Sequence, residues 1–258
     1  MSYPSCNSNQ PVTVLLTGSV WQNYPLLDKT GIQNPVERLK DYLCAIPYWL
    51  SLSEVDHVVY CDASGFKIPE EIFDSPKFES LAFDLKEACL EKGKSYAEMV
   101  SLECAMQHSR FLTRNFFKCT GRLFVKNFVD IYKWISPIEY CFYMTKYHRL
   151  NYADTRFFWM DRDCYYEAVH PFLHRVNDFK GLIAEITFYF HAQQYRQLPL
   201  PIYIGRSGQN GKMYDEDFNK IAKSQADNLL ERLNQLIPLS RILEGDAYDE
   251  NAGDPHEP

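Results

Sequence analysis

The feature that most constrains the fold is a pair of short apolar runs with a helical stretch between them. Val12-Thr13-Val14-Leu15-Leu16-Thr17 is apolar without alternation and ends at Gly18-Ser19. His57-Val58-Val59-Tyr60-Cys61 is of the same kind and ends in Asp62-Ala63-Ser64-Gly65. Such runs predict strands buried on both faces, as in a parallel sheet covered by helices. Between them, Asn34-Pro35 has the residues of a helix N-cap and first position. Leu39, Tyr42, Leu43, Ile46 and Leu50 then recur at helical spacing, and Pro47 is expected to bend or shorten the helix. Strand, helix, strand prefers a right-handed parallel crossover, which gathers ligands at the carboxyl ends of the strands.

The rest of the chain continues in the same style. A strand is expected at Ser80–Phe83. A helix is expected from Ser95 to about Leu112, with Ser95 as cap, Glu98 at the capping-box position and Met99, Leu102 and Met106 as its apolar stripe. Phe116 to Val125 predicts a strand, a tight turn at Gly121 and a second strand or helix. Tyr140 to Tyr166 predicts two or three strands, and Phe179 to Tyr195 a long helix. A glycine-dense stretch, Gly205 to Gly211, precedes a helix from Phe218 to about Leu236. The expected organisation is a disordered N-terminus at 1–10, one α/β domain at 11–240 and an acidic disordered tail at 241–258.

Composition narrows the function classes. The 18 Tyr, 17 Phe and 4 Trp among 258 residues are incompatible with a chain that is mainly disordered. With 27 basic against 34 acidic residues, a broad basic face for duplex DNA is not expected, and no nucleic-acid partner is assigned. The polar first ten residues lack the pattern of a secretory signal, no run of about 18 apolar residues exists, and cytoplasmic residence is the expectation. The eight cysteines are scattered without a Cys-x-x-Cys pair, which argues for small buried thiols and against structural zinc. There is no phosphate-binding P-loop, dinucleotide glycine fingerprint, nucleophile elbow or zinc-protease helix.

Several residue groups have the chemistry of a site. Lys118 and Arg122 flank a Thr-Gly turn at the end of a hydrophobic strand, where two cations can converge on a diphosphate. Thr17, Gly18 and Ser19, with Asp62, Ala63, Ser64 and Gly65, lie at adjacent strand ends; the acid can accept from a ribose hydroxyl, or the group can simply turn the chain. Asp161 and Asp163 have the spacing to share a divalent cation, or to edge a hairpin. Asp154, close to Arg156, suits an ion pair or a general base. Glu185, between Ile183 and Ile186, is a carboxylate close to an apolar helix face, where burial raises the pKa. Arg206 and Ser207 belong to the glycine-dense loop, which can close over an anion. The aromatics Tyr140, Phe142, Tyr143, Trp159, Tyr165 and Tyr166 offer sugar-stacking surfaces or core.

In their order along the chain these pieces resemble the bacterial capsule and lipopolysaccharide glycosyltransferases of the GT-A-like kind. The resemblance runs from Val12 to Tyr214. It rests on Thr17-Gly18, Asn34-Pro35-x-x-Arg38-x-x-x-Tyr42, Cys61-Asp62-Ala63-Ser64-Gly65 and Gly93-Lys94-Ser95-Tyr96-Ala97-Glu98. It continues through Phe117-Lys118-x-Thr120-Gly121-Arg122-Leu123, Asp154-Thr155-Arg156-Phe157-Phe158, Glu185 and Ile204-Gly205-x-Ser207-Gly208. It implies an α/β fold: a single GT-A-like, Rossmann-like domain with a mixed, mostly parallel central sheet flanked by helices. It implies a nucleotide-sugar donor at the sheet edge, on Thr17, Gly18, Asp62, Ser64, Gly65, Lys94, Glu98, Lys118, Gly121, Arg122, Arg156, Arg206 and Ser207. A glycan or lipid-linked glycan acceptor would sit on the C-terminal half, with at most peripheral contact at the inner membrane face. Lys118 and Arg122 would neutralise the leaving diphosphate, and Asp154 or Glu185 would deprotonate the acceptor. Many such enzymes carry a metal-binding Asp-x-Asp after the central strand; this chain has Lys118 and Arg122 there, so dependence on Mg or Mn stays open, with Asp161 and Asp163 as second choice. The alternatives are a non-catalytic nucleotide- or glycan-binding protein on the same scaffold and a metal-dependent phosphoesterase acting through Asp161 and Asp163.

Overall fold

Both apolar runs become neighbouring strands. In the computed structural model, which describes residues 11–21, 34–135, 140–207 and 213–244, β1 (Thr13–Gly18) and β2 (His57–Asp62) pair in parallel. The helix between them, α1 (Pro35–Ser51), starts where the Asn34 side chain accepts from the Val36 and Glu37 N–H groups at 2.9 and 3.2 Å. It runs on past Pro47, because Tyr42, Leu43, Ile46 and Trp49 on either side are buried against the sheet. There follow β3 (Phe78–Ala82), α2 (Lys86–Lys92), α3 (Lys94–His108), β4 (Asn115–Thr120), β5 (Leu123–Val125) and α4 (Phe128–Trp134). The second half holds β6 (Phe142–Met144), β7 (Lys146–Tyr147), β8 (Tyr152–Ala153), β9 (Phe157–Asp161), α5 (Arg162–Ala168) and α6 (Ala184–His191). It ends with β10 (Tyr195–Gln197), β11 (Tyr203–Gly205), α7 (Glu216–Leu236) and α8 (Leu239–Glu244).

Seven strands form one sheet in the order β3-β2-β1-β4-β9-β6-β10, with β9 antiparallel to both neighbours and every other adjacent pair parallel. This is an α/β domain on a mixed, mostly parallel sheet. In register, Thr17 lies beside Cys61 of β2 and Thr120 of β4, so the carboxyl ends of the three central strands meet at one edge. Strand alternation divides the core. Leu16, Tyr60, Phe117 and Phe157 join α1, where Trp49 is fully buried, and Leu15, Val59, Phe116 and Phe158 join the face covered by α3 and α6. Each fully buried large side chain contributes about 1.5–3 kcal/mol.

Local differences from the sequence expectation have identifiable causes. α3 begins at Lys94, and the Ser95 N–H donates to Asp178 at 3.0 Å, so Ser95 lies inside the helix and Glu98 is no capping-box partner. The helix expected from Phe179 starts at Ala184, because Asn177 and Leu182 bridge to each other and the chain makes a short 3-10 turn between them. The aromatic stretch forms four strands and then turns helical at Arg162, where Asp161 accepts from the Cys164 N–H at 3.0 Å. Phe142, Tyr143, Trp159 and Tyr165 are buried and belong to the core. α8 runs to Glu244. The stretches 1–10 and 245–258 lie outside the described residues. No described helix is long and apolar enough to cross a membrane.

Candidate functional site

Where β1 and β4 end, one face of the sheet carries a buried cation. Lys118 shares the face of Leu15 and Phe116, and its side chain is 3% exposed. Its ammonium donates to Glu98 Oε1 at 2.5 Å and to the Thr155 carbonyl at 2.8 Å. The Thr17 hydroxyl donates to the same Glu98 oxygen at 2.9 Å. Burial alone would raise the Glu98 pKa, but the Lys118 charge and the two hydrogen bonds outweigh it and hold the carboxyl below its ordinary value. From α6 the half-buried Glu185 accepts from the Tyr152 hydroxyl at 3.2 Å. Here burial wins: with the repulsion of Glu98 added, it lifts Glu185 above the ordinary value against the pull of Tyr152 and Lys118. Two carboxylates within electrostatic reach of each other are thus shifted in opposite directions, Glu98 down and Glu185 up.

Arg122 does not join Lys118. The two cations expected to converge lie on opposite faces of the sheet, since the Arg122 guanidinium turns toward α1 and senses Tyr42, Arg38, Asp41 and Tyr60. It is 7% exposed, and its Nη1 is buried without a hydrogen-bond partner. Arg38 donates through Nε and Nη2 to the Ser19 carbonyl at 2.8 and 2.5 Å. Arg206 Nε stands 3.4 Å from Asp41 Oδ2, and both atoms are buried without a hydrogen bond. Burial pushes the Asp41 carboxyl up to about 6, against the lowering effect of Arg206, Arg122 and Arg38. Gly121 does make a close approach, but to the protein itself. Its N–H donates to the Thr17 carbonyl at 2.8 Å, and a Cβ would stand 2.9 Å from that oxygen. Gly205, at φ +114°, packs on the Arg122 carbonyl, a place only glycine fits. Thr17 therefore links the two faces, hydroxyl to Glu98 and carbonyl to Gly121.

Asp154 is not a free base. It is 1% exposed and accepts from Arg156 Nε and Nη2 at 2.8 and 2.6 Å, from the Arg156 N–H at 3.1 Å and from the Tyr203 hydroxyl at 3.1 Å. Arg156 lies over the Tyr203 ring at 4.3 Å and donates to the Tyr214 hydroxyl at 2.8 Å. The pair clamps the segment before β9 to β11, which places Arg156 beside the site as a strut.

The expected ribose acceptor is likewise committed. Asp62 accepts from the Ser64 N–H and hydroxyl, the Phe66 and Val20 N–H groups and the Tyr60 hydroxyl at 2.5–3.3 Å, five donors that use its acceptor capacity. Ser64 accepts from the Trp21 N–H, Gly65 sits in the same turn, and Gly18 packs on the Tyr60 ring. These residues build the strand-end loops. Lys94 is a solvent-facing cation. Asp161, besides capping α5, is paired with Arg114 at 2.8 Å, and Asp163 lies 3.3 Å from the same guanidinium. Both are at the far end of β4 from Thr120, since Asp161 pairs with Asn115. Among the described residues no group of three or more His, Cys, Asp or Glu could hold a metal ion. At the end of β4 the acid at hand, Glu98, is taken up by Lys118 and Thr17, a set that does not fit a divalent cation. Ser207 follows Arg206 and is half-buried, and residues 208–211 of the glycine-dense loop lie outside the described residues.

The roles of Arg38, Asp41 and Tyr42 escaped the sequence. The available signal was two charges inside the apolar stripe of α1, at the i, i+3 spacing that puts them on one face. Tyr152, Tyr203 and Tyr214 gave no signal distinct from the other tyrosines.

No protein-family model matches the chain, and no curated protein matches it in sequence. Among solved structures it is similar to a 4-diphosphocytidyl-2C-methyl-D-erythritol synthase from Anaerococcus prevotii DSM 20548, with a TM-score of 0.43 and 9% identity over 84% of this chain and 96% of that one.

Proposed function

We propose that the chain is a glycosyltransferase that moves a sugar from a nucleotide-sugar donor to a growing surface-polysaccharide or lipopolysaccharide acceptor. The observation that carries this reading is the contrast between Glu98 and Glu185 at the carboxyl edge of the sheet. Glycosyl transfer to a hydroxyl needs a base for the incoming oxygen and stabilisation of the departing phosphates. Glu185, with its raised proton affinity and a single tyrosine contact, suits the base. Glu98, kept anionic by Lys118 and Thr17, suits a hydrogen-bond acceptor for the sugar hydroxyls. Lys118 then acts through Glu98 as a positioning residue.

The test is a thermal-shift screen with UDP-, GDP-, CMP- and dTDP-sugars, followed by a transfer assay with the donor that stabilises. A donor that raises the melting temperature and is consumed supports the reading. Binding without turnover in the presence of acceptor glycans would instead support the non-catalytic alternative.

A further inference from the structure

We infer that Tyr152 is a positioning residue for Glu185, and that the β7–β8 hairpin, fixed to α6 by the buried Lys146, holds its hydroxyl in place. This rests on the reading of Glu185 as the base and names the group through which that carboxyl is held.

The hairpin Lys146–Ala153 lies along α6 and meets both ends of that helix. At the first turn the Tyr152 hydroxyl donates to Glu185 Oε1 at 3.2 Å. At the last turn the Lys146 ammonium donates to the Tyr189 and Ala192 carbonyls at 2.8 and 2.6 Å, where a cation also complements the helix dipole. Lys146 is 6% exposed; burial lowers its pKa to about 8, and among the described residues no carboxylate counters that. A buried ammonium without an anion is costly, and what it secures here is the placement of the hairpin that carries Tyr152. Two further ties restrict the hairpin. His148 stands 3.2 Å from the Tyr189 hydroxyl and 3.0 Å from that of Tyr195. Tyr147, opposite Tyr152 in register with ring centroids 6.3 Å apart, interacts with Arg156 of the Asp154 clamp. Support of this kind is what holds a reacting group to a productive geometry. A hydroxyl suits the place because it donates to a carboxylate and can accept from a carboxylic acid, so Glu185 can take up a proton with its partner unmoved. Burial, with the charges of Glu185 and Asp154, pushes the Tyr152 pKa up, so the hydroxyl keeps its proton and does not compete as the base. Glu98 from α3 and Lys118 from β4 also face Glu185, while Arg175 acts on His191 at the far end of α6.

The experiment is NMR titration of the full chain, labelled at the glutamate carboxyl carbons, with Glu185→Gln identifying the Glu185 signal; it needs no substrate. Tyr152→Phe keeps the ring and removes the donor that favours the ionised carboxyl, so the Glu185 pKa should rise by about 0.5–1 pH unit. In release of nucleoside diphosphate from UDP-, GDP-, CMP- and dTDP-sugars, the acid limb of the kcat profile should move up with it. There kcat at pH 7 should fall about tenfold and KM stay within about twofold, the pattern of a misplaced reacting group. In a Lys146→Met background the Tyr152→Phe shift should shrink, because the hairpin no longer holds the hydroxyl on the carboxyl. Tyr48→Phe, which removes a half-buried hydroxyl on α1, should leave both the pKa and kcat unchanged. An unmoved Glu185 pKa in Tyr152→Phe would overturn the inference, and an undiminished shift in the Lys146→Met background would overturn the role of the hairpin. A raised pKa in a chain that releases no nucleoside diphosphate would sink the base reading and leave the Tyr152 contact standing. Release that Glu185→Gln abolishes, with a Tyr152→Phe profile matching wild type, would do the reverse.

Discussion

Replacing Lys118 with Met keeps most of the side-chain volume and removes the ammonium. The side chain is 3% exposed and makes two hydrogen bonds, to Glu98 and to the Thr155 carbonyl. Breaking a buried ion pair by deleting one partner costs about 3–5 kcal/mol. The Glu98 side chain is 36% exposed, so water takes over part of the stranded carboxylate, and the expected loss is about 2–3 kcal/mol. Glu98→Gln strands the more deeply buried ammonium and should cost more, about 3–5 kcal/mol. The double variant should recover about 1–3 kcal/mol of the summed losses. Urea unfolding at pH 7 measures all three. The pH dependence has a definite sign. The Glu98 pKa is lowered by folding, so its contribution is present above the ordinary value of 4.5 and lost as pH falls through the folded value. The gap between wild type and Lys118→Met should therefore narrow in acid. Both single variants within about 0.5 kcal/mol of wild type would refute the buried pair and restore a solvent-facing lysine free for phosphate.

Other expectations follow from the same contacts. Gly121→Ala pushes a Cβ to 2.9 Å from the Thr17 carbonyl and should destabilise by about 1–3 kcal/mol; an unchanged thermal midpoint would contradict that packing. Asp154→Asn removes the charge and one of the two acceptor oxygens facing Arg156 and should cost about 1.5–3 kcal/mol, with near-UV dichroism reporting the loosened clamp. Folding raises the Glu185 pKa, so its ionised form burdens the native state above that pKa. Glu185→Gln should therefore melt higher than wild type at pH 7, and a lower melting temperature would count against the raised pKa. Because the Glu98 charge contributes to that rise, Glu98→Gln should move the acid limb of the pH–rate profile to lower pH; an unmoved limb would show that the two carboxylates do not communicate.

The architecture was legible where local pattern and burial agree. The β-branched runs before Gly18 and Asp62 had no other use than parallel strands, and the Asn34-Pro35 start of α1 is a local event that the fold leaves intact. What failed was contact made through space. Ser95 lost its role as cap to a tertiary partner, Asp178, more than 80 residues away. Lys118 and Arg122, four residues apart, separate because strand alternation sends Lys118 toward α3 while the turn at Gly121 sends Arg122 toward α1. Asp62 and Asp154 carry the residue types of a binding acid and a base, yet each is filled by donors from its own loop or from β11, which no linear pattern displays. The burial that raises the Glu185 pKa was legible, because a carboxylate beside an apolar stripe is rare enough to require an explanation.

The most direct test of the account is the release of nucleoside diphosphate from the stabilising nucleotide sugar, followed for wild type and Glu185→Gln under identical conditions. Wild type should show measurable release, and the variant a drop of about 10²–10⁴-fold, the range for loss of a general base. No release from any nucleotide sugar, or equal rates in the two proteins, would contradict it.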